Sequence, residues 1–232
     1  MTNLAGAVLD PLLDSDPAGP RITYYDDATG ERIELSTATL ANWAAKTGNL
    51  LRDELGAGPA SRVAVLLPAH WQTAAVLLGI WWIGAEVVLG GPSDVAMCTA
   101  DRLSGADAAE VVALSLDPFG SPVADLPVGV TDYATSVRVH GDQIVAEARP
   151  GPALDGLGVG QVLAQAHRAA GAHRLTGRDR VLSTASWDTR ERLVGSLLAV
   201  WAAGASLVQV AHPDPAAIKR RIDTEKVTRI LQ

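Results

Sequence analysis

Two stretches of the chain repeat the same order of hydrophobic and polar positions. The first begins at Arg62 with RVAVLLPAHWQTAAVLLGIWWIGAEVVLG, and the second begins at Asp179 with DRVLSTASWDTRERLVGSLLAVWAAGASLVQV. Each contains an apolar run, a polar break, an apolar helix ending in Trp-x-x-Gly-Ala, and a second apolar run. Continuous apolar runs are typical of parallel strands that are covered on both faces. The pattern therefore predicts two equivalent β-α-β units and an internal duplication of the fold.

The surrounding segments predict the remaining elements. The alternating runs RITYYD and ERIELS, separated by the turn DATG, predict a hairpin. The stretch STATLANWAAKTGNLLRDELG predicts a helix with Ser36 or Thr37 as N-cap and Gly56 as its stop. Asp188, followed by Glu191, is expected to cap a later helix. Further strands are predicted over 63–67, 87–89, 111–116, 181–184, 206–210 and 227–231, and further helices over 71–83, 95–103, 161–174, 189–203 and 213–223, the last with Pro213 in its first position.

The order of these elements predicts an α/β protein with two related subdomains. Each is expected to contain a mostly parallel, helix-covered sheet, the second one truncated. The break RPGPALDGLGVG, rich in Pro and Gly, is the predicted boundary between a first subdomain over 1–150 and a second over 151–232. About three strands are predicted after Pro150, so the second sheet is expected to leave an edge unpaired. A homodimer or a protein partner covering that edge follows from this expectation.

Composition narrows the classes of function. The chain is 48% hydrophobic and 19% charged, which is typical of a folded globular protein. Its net charge is −7 with scattered basic residues, so nucleic acid is not an expected partner. The apolar run AAVLLGIWWIGA is too short to span a bilayer, and the acidic N-terminal stretch does not resemble a signal peptide. We therefore expect a cytoplasmic protein.

The reactive side chains show no familiar catalytic pattern. The histidines are scattered and lack the spacing of a metal site. Cys98 falls on a predicted helix without a nearby His and is expected to be inert. The chain has no G-x-S-x-G nucleophile turn. The sequence thus predicts no catalytic residue, no metal and no cofactor.

The two repeated stretches, read with their flanks, resemble a known family. The segment from ITYYD through STATLANWAAKTGNLLRDELG to VVLG resembles the opening of the adenylate-forming superfamily, which includes acyl- and aryl-CoA synthetases, peptide-synthetase adenylation domains and luciferases. The segment from LTGRDRVLST to KVTRIL resembles the stretch after the phosphate loop of those enzymes. The chain also looks like the short actinobacterial proteins that resemble truncated acyl-CoA synthetases. This resemblance implies a large domain with two related subdomains.

The functional motifs of that family are missing from the matching positions. The family binds ATP through a Ser/Thr/Gly-rich loop ending in Lys, placed before the helix predicted over 161–174. Here the chain from Val139 to Leu175 has no Ser, Thr or Lys. The family's C-terminal domain with its catalytic Lys has no counterpart before the chain ends. A catalytically inactive protein is therefore expected. Gly156, Gly158 and Gly160 form either a flexible connector or a turn that binds an anion through backbone N–H groups.

One group of residues falls where the family borders its acyl pocket. Ser183, Ser186, Trp187 and Asp188 follow a predicted strand, at the end of a parallel sheet where ligands bind. Capping and packing explain the same residues, so both interpretations stay open. The sequence favours a binding or interaction module. The alternatives are a binder of a nucleotide, acyl or CoA-like small molecule without chemistry, and one part of a split adenylate-forming enzyme.

Overall fold

The computed structural model describes residues 2–231 and divides them into two compact units. The first unit comprises Ala41–Pro68 and Gln72–Val159 with the residues before Val8, and the second comprises Val8–Leu40, Ala69–Trp71 and the residues from Gly160 onward. The predicted division at residues 150 and 151 concerns the subdomains of the resembled family and stays a prediction.

The elements alternate along most of the chain. The strands are β1 (Pro20–Asp26), β2 (Glu31–Ser36), β3 (Arg62–Leu66), β4 (Glu86–Val88), β5 (Ser93–Thr99), β6 (Ala108–Leu114), β7 (Val130–Asp132), β8 (Arg180–Ser183), β9 (Ser206–Ala211) and β10 (Arg229–Leu231). The helices are α1 (Leu4–Ser15), α2 (Thr37–Asn49), α3 (Trp71–Trp82), α4 (Tyr133–Ser136), α5 (Val159–Ala172), α6 (Arg190–Arg192), α7 (Ala199–Ala202) and α8 (Pro215–Glu225). A π-helical segment extends α2 (Leu50–Glu54), another joins α6 to α7 (Leu193–Leu198), and 3-10 turns follow β5 (Ala100–Gly105) and α4 (Val137–Val139).

Each unit is built on a five-stranded sheet. Sheet A, in the second unit, has the order β10-β8-β9-β1-β2, and sheet B, in the first, has the order β4-β3-β5-β6-β7. All neighbouring strands are parallel except β1 and β2, which form the predicted antiparallel hairpin. The predicted α/β fold with two mostly parallel sheets is confirmed. Among the described residues, no helix combines the length and apolar content needed to cross a lipid bilayer.

The predicted duplication is visible in the topology of both sheets. Strands β4-β3-β5 of sheet B correspond to β9-β8-β10 of sheet A, because each unit runs from the central strand to one neighbour and then back to the other. The helices end in the same way: Gly84 (φ 76°) donates its N–H to the carbonyl of Trp81 at 3.1 Å, and Gly204 (φ 80°) donates to that of Trp201 at 2.9 Å. Glycine is favoured at both ends because the left-handed backbone disfavours a Cβ.

The second sheet is larger than its three C-terminal strands. Strand β1 pairs in parallel with β9, so the N-terminal hairpin extends sheet A to five strands. Helix α8 covers one face, where Leu182, Val208 and Val210 pack against Ile218 and Ile222. Strand β10 remains at the edge of sheet A and is only three residues long.

Several local predictions are wrong. The predicted helix over 95–103 is strand β5 followed by a 3-10 turn, and Cys98 therefore lies in a buried strand. A short apolar run suits a buried strand as well as a buried helix, and periodicity alone does not separate them. The helix after β8 is capped by Thr189, whose side chain accepts from the N–H of Arg192, and not by Asp188. Helix α8 has Pro215, and not Pro213, in its first turn, because Asp214 is the N-cap.

Candidate functional site

The carboxyl edge of sheet A is the first candidate for a binding site. Strands β8, β9 and β1 are parallel, so their carboxyl ends meet at one edge. The chain passes from β8 to β9 on one side and returns to β10 on the other, which makes the β8/β10 boundary a topological switch point. Open α/β sheets bind ligands outside the carboxyl ends of their strands at such points. Of the predicted cleft residues, Ser183 is the last residue of β8, and Ser186, Trp187 and Asp188 lie in the loop that follows it.

Ser183 and Gln209 hold the first turn of this loop. They are register partners in β8 and β9, and both are buried. The Ser183 hydroxyl accepts the N–H of Ala185 at 3.1 Å, and Gln209 Nε2 donates to the carbonyl of Ala185 at 3.0 Å. Gln209 Oε1 is buried and has no hydrogen-bond partner within residues 2–231. A buried acceptor left unpaired lowers the stability of the folded state by about 1–3 kcal/mol, unless a ligand or a water molecule donates a hydrogen bond to this oxygen.

The other three predicted residues divide into a buried indole and an exposed network. Trp187 is only 3% exposed, and no described residue accepts a hydrogen bond from its Nε1. Ser186 Oγ donates to Asp188 Oδ1 at 2.8 Å, and Arg192 Nη1 donates to the same oxygen at 3.0 Å. These bonds, with that from Ser186 the larger, lower the pKa of Asp188. Ser186 and Asp188 therefore order the start of the helix, whereas Ser183, at the end of β8, and Trp187, in the loop, are buried.

A histidine–aspartate pair occupies the same edge and was missed from the sequence. His212, just after β9, places Nδ1 at 2.9 Å from Oδ1 of Asp26, the last residue of β1. Burial raises the pKa of Asp26, but the bonds from His212 and from the N–H of Ala28 outweigh burial and lower it. His212 has a left-handed backbone (φ 45°), which is uncommon outside glycine and typical of constrained positions. The pairing of β1 with β9, which no local pattern shows, brings the two residues together.

A second histidine of this unit is buried beside the hairpin. His70 lies edge-on to Tyr24 with ring centroids 4.4 Å apart, and its Nε2 is 3.6 Å from Glu31 Oε1. Burial lowers the pKa of His70, and Glu31 offsets this only in part. The imidazole is therefore neutral near pH 7. Within the described chain, no group of three or more His, Cys, Asp or Glu side chains is arranged to hold a metal ion.

The predicted anion-binding turn is partly occupied by the protein itself. The N–H of Gly156 (φ 80°) already donates to Glu86 Oε1, so an anion would have to displace a carboxylate there. Helix α5 begins at Val159, and Gly160 lies in its first turn. The assignment of Gly156, Gly158 and Gly160 to an anion site stays a prediction.

Comparison with solved structures places the fold among CoA ligases. The chain aligns over 98% of its length with an acyl-CoA synthetase of Brucella canis, at 17% identity and a TM-score of 0.81. It aligns over 98% with the anthranilate CoA ligase AuaEII in complex with anthranoyl-AMP (16% identity, TM-score 0.74), and over 99% with a benzoate CoA ligase of Burkholderia xenovorans LB400 (16%, 0.73). The chain spans about half of these proteins, between 46% and 50% of their length, and has the fold of their N-terminal part.

Sequence comparison adds a distant and a near relative. An acetyl-coenzyme A synthetase of Gamma-proteobacterium EBAC31A08 is 32% identical over 113 residues, which is 48% of this chain and 17% of that protein. No protein-family model matches the sequence. A TIGR03089 family protein of Mycobacterium tuberculosis (strain ATCC 25618 / H37Rv) is 69% identical over 99% of this chain and 98% of its own length. The chain therefore belongs to the TIGR03089 family.

Proposed function

We propose that this chain is a non-catalytic binding protein that takes an acyl or aryl small molecule at the carboxyl edge of sheet A. The observation that carries the proposal is the pair of buried, unpartnered polar atoms at this edge, Gln209 Oε1 and Trp187 Nε1, judged over residues 2–231. One is an acceptor and the other a donor, so a ligand with one polar group of each kind would remove both penalties. The remainder of the loop is held by its own hydrogen bonds, and because both polar atoms are buried, a ligand reaches them by displacing part of the loop.

The ligand class is suggested by the proteins that share the fold. One of them is an anthranilate CoA ligase whose structure contains anthranoyl-AMP, an aryl adenylate. An aryl or acyl group suits a site beside an indole, and its carbonyl oxygen suits the indole N–H. We therefore place acyl-adenylate-like compounds first among the ligands to test, ahead of ATP and CoA.

The absence of catalysis is proposed from the phosphate-binding segment. Between Val139 and Leu175 there is no Ser, Thr or Lys, so hydroxyl and ammonium donors for a triphosphate are missing there. Gly156 directs its N–H to Glu86, and a carboxylate at that position repels a phosphate. Pyrophosphate exchange into ATP by the purified chain, with a panel of carboxylic acids, is expected to stay at background. Exchange above background would contradict a non-catalytic protein.

Thermal unfolding with and without ligand tests the binding site. A ligand that binds only the folded chain stabilises it by about 2.7 kcal/mol at about one hundred times its Kd. A non-hydrolysable acyl-adenylate analogue is expected to raise the Tm, whereas ATP–Mg²⁺, AMP and CoA are expected to raise it less. If the analogue leaves the Tm unchanged, no ligand of this class binds.

A matched pair of variants locates the site. Trp187→Phe removes the indole N–H and keeps most of the packing, and is expected to weaken analogue binding about five- to tenfold, the value of one hydrogen bond. Trp201→Phe is the control, because Trp201 is also buried and its Nε1 also lacks a partner among the described residues, but it lies within helix α7. Equal losses in both variants would place the ligand elsewhere.

A second candidate is an assembly through the edge of sheet A. Strand β5 of sheet B has β6 on its outer side, whereas the equivalent strand β10 has no such neighbour in the described chain, and Ile230 on it is 48% exposed. We propose that a second copy pairs along β10, which at three residues supplies only a few hydrogen bonds. Light scattering would then show a dimer that Ile230→Lys converts to a monomer. Val145→Lys, a change at an exposed apolar residue of the other unit, serves as control. A monomeric native chain would exclude this assembly.

A further inference from the structure

A cavity opens at the opposite, amino end of sheet A. Its volume is about 610 Å³, within the range of about 300–1,000 Å³ found for small-molecule sites. It lies where β1, β8 and β9 begin, so it is separate from the loop that follows β8. Four basic residues line it, Arg21, Arg178, Arg180 and Lys226, together with two acidic ones, Asp16 and Asp179. The cavity residues form no part of the proposed acyl site.

Arg21 is a buried cation that the fold holds in place. Its Nη1 donates to the carbonyls of Gly204 at 3.0 Å and Ala205 at 2.8 Å, and its Nε donates to Thr37 Oγ1 at 3.1 Å. Within residues 2–231 its Nη2 makes no hydrogen bond. The guanidinium is therefore fixed by three bonds and keeps one nitrogen for a ligand. A positioned donor of this kind binds an anion at little cost in side-chain entropy.

Arg178 and Lys226 add two exposed cations. No carboxylate of the described chain lies within ion-pair distance of either side chain, and both line the cavity. Lys226 follows α8 with a left-handed backbone (φ 54°), which turns the chain toward β10. Arg180 places Nη1 at 3.5 Å from Ser206 Oγ, while its Nη2 is bound to Glu225. The cavity thus contains two cations without an ion-pair partner, Arg178 and Lys226, beside Arg180, which is bound to Glu225.

The two carboxylates of the lining offset only part of this charge. Asp179 accepts from Thr228 Oγ1 at 2.7 Å and from Thr176 at 2.8 Å, and Arg229 approaches it at 3.6 Å. These bonds, of which that from Thr228 is the largest, lower the pKa of Asp179, so its carboxylate stays ionised and offsets one of the four cations. Asp16 accepts the N–H of Gly19 at 2.9 Å. The lining therefore has four cations against two carboxylates, and among the described residues the side chains of Arg178 and Lys226 have no hydrogen-bond or ion-pair partner.

We propose that this cavity binds a small phosphate-class oligoanion, for which inorganic pyrophosphate is the probe. Guanidinium groups match phosphate oxygens with paired N–H donors, and several of them around one cavity favour a compact ligand with several charges. The Ser206 hydroxyl supplies a further donor in the lining, which contains no aromatic side chain to stack on a base or ring. Phosphate is favoured over a nucleotide for this reason.

Calorimetric titration at physiological ionic strength tests the site. Pyrophosphate is expected to bind the native chain at one site, more tightly than orthophosphate and than citrate. Arg178→Gln and Lys226→Gln each remove one free cation and are expected to weaken binding about tenfold, the scale of one charge-assisted hydrogen bond. Lys219→Gln is the matched control, since Lys219 is an exposed lysine of α8 outside the cavity and its loss changes the net charge equally.

The outcomes separate the possibilities. No binding of pyrophosphate at millimolar concentration overturns the proposal, and so does an equal loss in Lys219→Gln, which would show attraction to overall charge alone. Citrate that binds as tightly as pyrophosphate would overturn the phosphate class. The residues concerned are exposed, so unchanged thermal unfolding in the absence of ligand confirms that each variant is folded. A failed acyl-adenylate test leaves this result intact, because the two experiments use different ligands and residues.

Discussion

Replacing Glu225, a nearly buried carboxylate of the second unit, is expected to lower the free energy of unfolding substantially. Its side chain is 5% exposed and accepts from Tyr25 Oη at 2.5 Å, from Arg32 Nη2 at 3.0 Å and from Arg180 Nη2. The network joins the last turn of α8 to strands β1, β2 and β8. Glu225→Ala leaves Arg180, whose side chain is 15% exposed, with Glu34 as its remaining anion.

The expected loss follows from breaking one side of a nearly buried ion pair. Such a change costs about 3–5 kcal/mol when both groups are fully buried. Arg32 is 44% exposed and regains water, so the lower figure of about 3 kcal/mol applies here. Glu225→Gln keeps the shape and one acceptor, and is expected to cost about 1–2 kcal/mol.

Urea unfolding followed by circular dichroism measures these losses. The control is Glu191→Ala, because Glu191 is 75% exposed and, within residues 2–231, forms an ion pair only with its neighbour Arg190. Its expected effect on the free energy of unfolding is within about 0.5 kcal/mol. If Glu225→Ala unfolds within that same margin of the native chain, the network contributes nothing and the reasoning is refuted.

The remaining predictions concern pH, the helix ends and the thiol. Burial raises the pKa of Glu225, but its hydrogen bonds outweigh burial, so the pKa in the folded chain is lowered. The stability that Glu225 contributes is therefore present above the unfolded pKa of about 4.5 and is lost as the pH falls through the lower folded pKa. In a plot of the urea midpoint against pH, Glu225→Gln should reduce the decline at acid pH. Gly204→Ala should lower the free energy of unfolding by about 1 kcal/mol, because alanine disfavours the left-handed backbone. Gly84→Ala should lower it more, because a Cβ there would also lie 2.7 Å from Glu147 Cγ. Urea midpoints of the two variants measure this difference, and equal losses would contradict it. Burial raises the pKa of Cys98, so an aromatic disulfide reagent should label it only as the chain unfolds, and rapid labelling of the folded chain would contradict its burial.

Local patterns predicted the elements that depend on one segment. The hairpin, helix α2 and the repeated β-α-β units follow from periodicity and from turn residues such as Gly84 and Gly204. Strand β5 was mistaken for a helix because its apolar run carries no period. The cap was misplaced by one residue because Asp188 and Thr189 are both good caps, and only the structure shows which side chain bonds to the helix.

The candidate sites depend on pairing between distant segments, which the sequence does not display. Gln209 became part of the acyl edge because β9 pairs with β8, and a glutamine inside the apolar run SLVQV was the one available signal. The cavity at the amino end of sheet A contains Arg21, Arg178 and Lys226. Arg178 and Lys226 each lie more than 150 residues after Arg21 in the sequence. The pairing of β1 with β9 brings Arg21 to this cavity, and no local rule predicts that pairing.

The indole N–H of Trp187 offers the most direct test of the proposed binding function. In a ¹⁵N-labelled chain, the six tryptophans give separate indole resonances, and Trp187→Phe identifies the one that belongs to Trp187. Titration with the acyl-adenylate analogue is expected to move that resonance saturably while the Trp201 resonance stays in place. A saturable change at other indoles with no change at Trp187, or no change at all, would contradict a ligand at the carboxyl edge of sheet A.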